Sequence, residues 1–109
     1  MWIMVSGPYR SGTQTQQQRD ENLHVLNAAA VALFRRGHTP VIGVNMALPM
    51  IQAGGGYDEV MMPVSLALCE RCDAVLRVGG PSKGADDEVA RFKAAGKPVY
   101  EAVDEVPTA

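Results

Sequence analysis

The sequence predicts an α/β fold, a parallel sheet of about four strands with helices on both faces. Three observations lead there. Short apolar runs suited to buried strands recur at residues 2–6, 39–44, 73–78 and 98–102. Segments of helical period separate them. The resulting order, βαβαβαβ, is that of right-handed crossovers onto a parallel sheet.

Trp2-Ile3-Met4-Val5-Ser6 reads as the first strand. Gly7-Pro8 breaks it, and Tyr9-Arg10-Ser11-Gly12 continues the turn. Residues 13–18 are polar and read as a loop or a frayed helix start. From about 19 to 36, Leu23, Leu26, Ala30, Leu33 and Phe34 recur near the 3.6 period, and Gly37 is a natural stop. The second strand runs 39–44, with Pro40 at its start. Residues 45–56 read as a long connection that a ligand could shape, ending in Gly54-Gly55-Gly56. Residues 57–72 read as the second helix, apolar nearly all round. That pattern predicts a homo-oligomer, most simply a dimer, packed through this helix. Pro63 is accommodated in a first turn if the helix starts near Met61. The third strand is 73–78. The third helix, 85–95, turns Val89, Phe92 and Ala95 inward and stops at Gly96. The fourth strand is 98–102, and 104–109 is a short tail.

The 109 residues fit one domain, 1–109, with a single core. A net charge of −2 and the lack of a basic stripe argue against nucleic acid and anionic membrane as partners. The first residues are strand-length, not a leader or a membrane span, and the expected location is the cytoplasm. Cys69 and Cys72 close an apolar helical stretch, the wrong context for a redox pair, and read as buried, reduced thiols. No metal site and no cofactor are expected.

Strand order 2-1-3-4, flavodoxin-like, is the arrangement expected. Ligands of such sheets bind beyond the strand carboxyl ends at the switch point, here between the first and third strands. Two turns meet there, Ser6 to Gly12 and Gly79 to Glu88. Neither G-x-x-x-x-G-K-[ST] nor G-x-G-x-x-G is present. Arg10 is a permanently charged anion donor at the sheet mouth. Ser6, Gly7, Ser11, Ser82 and the backbone around Gly80 and Gly84 can complete a phosphate site, because amides at a glycine-rich turn and a helix N-terminus cradle anions. Glu88 falls about one turn inside the third helix, roughly a sugar's width from such a phosphate. There it is expected to stay ionised, as a nucleophile must. A nucleoside monophosphate fits this scheme, with its base toward Asn45 and the apolar residues after it. Tyr9 could stack on a base or reach the sugar. Asp58 is the candidate acid. His24 and His38 read as structural.

The chain resembles the nucleoside 2-deoxyribosyltransferase-like superfamily. Within it, the chain is similar to the small proteins grouped as DUF4406 and to the 2′-deoxynucleoside 5′-monophosphate N-glycosidases. The residues that carry the likeness are Ser6-Gly7-Pro8-Tyr9-Arg10-Ser11-Gly12, Gly37-His38, Arg71-Cys72-Asp73-Ala74-Val75, Pro81 to Glu88, and Gly96-Lys97-Pro98-Val99. The resemblance implies that Glu88 attacks the anomeric carbon and that Arg10 and Ser82 hold a 5′-phosphate. It also implies an Asp on the second helix where this chain has Ser65. Asp58, Asp86 or Asp87 could substitute. The alternative to an enzyme is a nucleotide-binding module that kept the phosphate nest and lost the acid. A phosphoribohydrolase is a third reading, but its glycine-glycine-x-glycine-threonine turn is absent.

Overall fold

Trp2–Ser6 forms the central strand β1 of the computed structural model, which describes all 109 residues. Strand β2 (Thr39–Val41) lies on one side of it and β3 (Ala74–Arg77) on the other, with β4 (Val99–Tyr100) beyond β3. All pairings are parallel, and the order is the expected β2-β1-β3-β4 of a flavodoxin-like sheet. The pleat sends alternate residues to opposite faces. Ile3, Val5, Ala74 and Leu76 join Leu26 and Leu33 of helix α1 (Gln16–Arg35) in one core. Met4 and Val75 join Cys69, Cys72 and Phe92 in the other. The last two clusters differ in supply: one is filled by α1, the other by α3 (Tyr57–Cys69) and α4 (Lys83–Ala94).

Helix α1 starts earlier than its apolar period indicates. Thr15 caps it: Gln18 N–H donates to Thr15 Oγ1 at 3.1 Å, and Gln18 Oε1 accepts from Thr15 N–H at 3.3 Å. The reciprocal capping box satisfies two groups the helix end would otherwise leave orphaned. Residues 16–18 are therefore helix, not loop.

The main departure is at residues 45–56. Gly43–Gln52 is a helix, α2, so β2 ends at Val41. Val44, Ala47, Leu48 and Ile51 have helical spacing and pack toward α3. Pro49 removes one ladder bond, a loss that this apolar stripe offsets. Helix α3 begins at Tyr57, so Pro63 sits inside it and not in its first turn. Helix α2 buries Val60 and Met61 of α3, together with Tyr9. The partner that the apolar helix demands is thus supplied from within the chain. None of the large exposed apolar side chains lies on α3.

Ser82 caps α4 by accepting the Ala85 N–H at 3.2 Å. Val89 and Phe92 turn inward as expected, whereas Ala95 is the exposed C-cap. The tail is docked. Val106 is fully buried under α1, and Arg36 donates to its carbonyl through Nε (3.1 Å) and Nη2 (2.7 Å). Buried His38 bonds the Pro107 carbonyl through Nε2 at 2.6 Å, a structural role. Cys69 and Cys72 are free and buried. Burial pushes the Cys69 thiol up to about 12, which leaves it inert as a nucleophile at neutral pH. No helix is long and apolar enough to cross a membrane.

Candidate active site

A cavity of about 470 Å³ opens beyond the carboxyl ends of β1 and β3. One wall is the β1–α1 turn with Gly7, Tyr9, Arg10 and Ser11. The N-terminal turn of α4 supplies Ser82, Lys83 and Gly84, and Glu88 one turn further in. Helices α2 and α3 close the remaining side.

Glu88 is 8% exposed, and Ser6 Oγ donates to its Oε1 at 3.1 Å. Its position explains its electrostatics. It is the sixth residue of α4, past the first turn where helix amides stabilise a carboxylate. Burial therefore dominates and raises its pKa to about 7. The Ser6 hydrogen bond and the Arg77 charge pull the other way, and Asp87 adds to the rise. The expectation of a carboxylate ionised throughout the physiological range is corrected: Glu88 titrates within it.

The groups the sequence offers for an anion lie mostly around the same cavity. The first ladder bond of α4 is Asp86 N–H to the Ser82 carbonyl, and Ser82 Oγ takes the Ala85 amide. The amides of Lys83 and Gly84 precede these and face the cavity end of the helix, a ready anion site. Ser11 Oγ donates to Ser82 Oγ at 3.4 Å, tying the two turns together. Arg10 is exposed at the rim with its guanidinium 4.3 Å from the centroid of the Tyr57 ring. That cation–π contact holds the charge beside the opening.

Asp58 lines the cavity on the first turn of α3 and is exposed. Tyr9 lines it too, nearly buried, with its carbonyl accepting from Asn22 Nδ2 at 2.9 Å. Ser65 also reaches it, so the position where the resemblance implies an Asp does belong to this site. Two candidates do not join. Asn45 is an exposed residue of α2 that donates to Asn27 Oδ1 of α1 at 2.7 Å. Gly80 lies on a separate shallow cleft, and its carbonyl is taken by Arg77 Nη2 at 2.8 Å.

Two residues went unnoticed in the sequence. Tyr57 lines the cavity and carries Arg10; burial, the largest influence, raises its hydroxyl pKa above the usual tyrosine value. Arg77 ends β3 and donates to the Val78 and Gly80 carbonyls, with Asp86 Oδ1 3.8 Å from Nη2. A charged residue closing an apolar strand was the available signal. The glycine-rich turn is thus pinned by a guanidinium on its outer side, which leaves the α4 amides toward the cavity.

No group of three His, Cys, Asp or Glu side chains converges in a way that could hold a metal ion. The fold and cavity define a flavodoxin-like α/β protein with a buried carboxyl group beside the N-terminal end of a helix. Comparison with protein-family models finds no match to this chain, and comparison with curated proteins finds none either.

Proposed function

We propose that this protein cleaves or transfers the N-glycosidic bond of a nucleoside 5′-monophosphate or nucleoside, ribo or deoxyribo, with Glu88 as the nucleophile. The observation that carries the reading is a buried carboxyl group, held by Ser6, at the inner end of a cavity whose rim has Arg10 and the α4 N-terminus. A phosphate bound by Arg10, Ser82 and the Lys83 and Gly84 amides would leave a sugar extending toward Glu88. The cavity volume suits a ligand of nucleotide size.

In the first step the ionised Glu88 carboxylate forms a bond to the anomeric carbon. The carbon–nitrogen bond breaks, and its electron pair leaves with the base, which takes a proton from an acid on the cavity wall. Asp58 is the carboxyl group available for that role, and the Tyr57 hydroxyl lines the same wall. In the second step water, or an acceptor base, attacks the anomeric carbon and gives its proton to the acid deprotonated in the first step, while the bond from the anomeric carbon to Glu88 breaks and frees the carboxylate. The oxocarbenium-like transition state is the same type as in retaining glycosidases. A pKa of about 7 leaves a large fraction of Glu88 ionised at neutral pH.

One observation favours the second reading, a nucleotide-binding module without catalysis. Ser65 offers no carboxyl group, and Gly43 of α2 packs so tightly against it that a Cβ there would lie 2.2 Å from Ser65 Oγ. Incubation with a panel of nucleosides and nucleoside monophosphates, read as free base released, decides between the two. Release that disappears in Glu88→Gln supports the enzyme. Binding of monophosphates with no release supports the module.

A further inference from the structure

We infer that the Ser65 hydroxyl recognises the 2′-hydroxyl of a ribose, so that this cavity takes a ribonucleotide in preference to its 2′-deoxy form. This assignment rests on the proposed placement of a phosphate at the α4 N-terminus and a sugar beside Glu88. Ser65 is 3% exposed, yet it lines the cavity. Every fully enclosed side-chain nitrogen and oxygen of the chain has a hydrogen-bond partner. The Ser65 hydroxyl has none within the chain, so the little surface it keeps is an opening onto the cavity. Gly43 preserves that opening: it lines the cavity too, and a Cβ on it would collide with Ser65 Oγ. A buried hydroxyl left free in this way is the exception in a folded chain. Its natural partner is a polar group of the ligand, because a ligand that covers it without bonding to it leaves it desolvated and unpaired.

The group that meets Ser65 follows from the way α3 runs beside α4. Met62 of α3 faces the first turn of α4, with its Sδ 3.1 Å from where a Cβ on Gly84 would stand. Cys69 faces the second turn: after burial, the charge of Glu88 is the next influence raising its thiol pKa. Ser65 lies between the two on the same helix face, about 4.5 Å along the axis from Met62 and one turn before Cys69. Gly84 and Glu88 are likewise one turn apart on α4, about 6 Å. A sugar that spans the distance from the phosphate to Glu88 therefore passes Ser65. Stereochemistry selects what it shows there. In a β-nucleoside the base and the 5′-carbon lie on one face of the sugar, and the ribose hydroxyls lie on the other. Displacement of the base with inversion brings Glu88 to the hydroxyl face at the anomeric carbon. The 2′-hydroxyl is on the adjacent carbon, whereas the 3′-hydroxyl points back toward the phosphate end. Ser65, which shares its face with Cys69 beside Glu88, thus meets the 2′-hydroxyl. A serine can both donate to it and accept from it. A 2′-deoxy sugar would leave Ser65 unpaired, and a site that pairs with a ligand hydroxyl discriminates against the analogue lacking it.

Titration calorimetry on the Glu88→Gln protein, which is expected to consume none of the ligands, tests the contact. The probes are ribonucleoside 5′-monophosphates of the common bases with their 2′-deoxy and 3′-deoxy counterparts. The ribo forms are expected to bind about tenfold more tightly than the 2′-deoxy forms. With Ser65→Ala added, the difference is expected to shrink to within about twofold, through weaker binding of the ribo forms. Circular dichroism confirms that each variant is folded. Equal binding of ribo and 2′-deoxy forms would overturn the inference. So would a preference that survives Ser65→Ala, or discrimination at the 3′ position alone. Base release by the native protein, followed in parallel, separates this outcome from the fate of the enzymatic reading. Release from both sugars at equal rates would overturn the Ser65 contact and leave the enzyme standing. Discrimination at the 2′ position with no release would uphold the contact within a binding module. A protein that binds none of the probes would overturn both.

Discussion

Ser6 Oγ donates a 3.1 Å hydrogen bond to Glu88 Oε1, joining the last residue of β1 to the second turn of α4. The bond crosses the switch point of the sheet and fixes one carboxylate oxygen. It also favours the ionised form against a burial that opposes it. Ser6→Ala is therefore expected to move the Glu88 pKa further above 7 and to shift the alkaline-going limb of any rate profile upward in pH. Carboxyl titration by NMR, together with the profile of kcat, checks this. An unmoved pKa would mean that the bond carries no electrostatic weight.

Glu88 also makes fold stability depend on pH. Its pKa rises from 4.5 to about 7 on folding. A group whose folded value is raised contributes stability that is full below its unfolded pKa and is lost as pH climbs through the folded one. The window is therefore about pH 4.5 to 7. Above it, the native state carries a poorly solvated charge, a cost of up to about 3 kcal/mol for a shift of this size. Glu88→Gln is expected to be more stable than native at pH 8, and to lose that advantage near pH 5. Urea unfolding at the two values measures it. The same variant should lose base release altogether while binding nucleotide within about tenfold, because only the attacking atom has gone.

Arg10→Ala is expected to weaken monophosphates by about ten- to a hundredfold, the range for a charge-assisted bond in a partly closed site, and nucleosides much less. Tyr57→Leu removes the ring on which Arg10 rests and should give a smaller loss in the same direction. Titration calorimetry with matched nucleoside and monophosphate pairs checks both. Equal losses for the two ligands would remove Arg10 from the phosphate site.

Arg77 holds the carbonyls of Val78 and Gly80 and adds positive charge to the surroundings of Glu88. Arg77→Lys keeps the charge but not the two-pronged donor. It should therefore leave the Glu88 pKa nearly in place while raising KM, whereas Arg77→Ala should change both. A split of this kind separates the shaping of the turn from the tuning of the carboxyl group.

The frame of the molecule was legible because its signals are periodic. Four apolar runs separated by helical segments left few arrangements, and the order 2-1-3-4 followed. Arg10, Ser11, Ser82, Gly84 and Glu88 converge because the switch point forces the β1–α1 and β3–α4 turns together. Helix α2 was not legible. Pro49 and the three glycines after it read as loop, and the spacing of Val44, Ala47, Leu48 and Ile51 was short enough to be masked by them. That one omission carried others with it. A loop over the cavity would bring Asn45 to the site and leave α3 bare, whereas the helix turns Asn45 to Asn27 and covers Val60 and Met61. The Glu88 pKa needed three-dimensional burial, which no linear pattern reports.

Gly43→Ala tests whether the α2–α3 contact shapes the cavity. A Cβ on Gly43 would stand 2.2 Å from Ser65 Oγ, 2.9 Å from its Cβ and 3.2 Å from its Cα. Rotating the hydroxyl removes only the first clash, so the two helices must move apart by a few tenths of an ångström. Overpacking of this kind costs about 1–3 kcal/mol. Both residues line the cavity, so the displacement should also alter ligand affinity. Ser65→Ala alone is expected to be nearly neutral for stability. Combined with Gly43→Ala it should recover part of the loss, since the hydroxyl goes but the Cβ remains. Thermal unfolding of the two single variants and the double variant, read as a mutant cycle, gives the coupling. Strict additivity would show that α2 does not rest on Ser65, and that the cavity wall is set elsewhere.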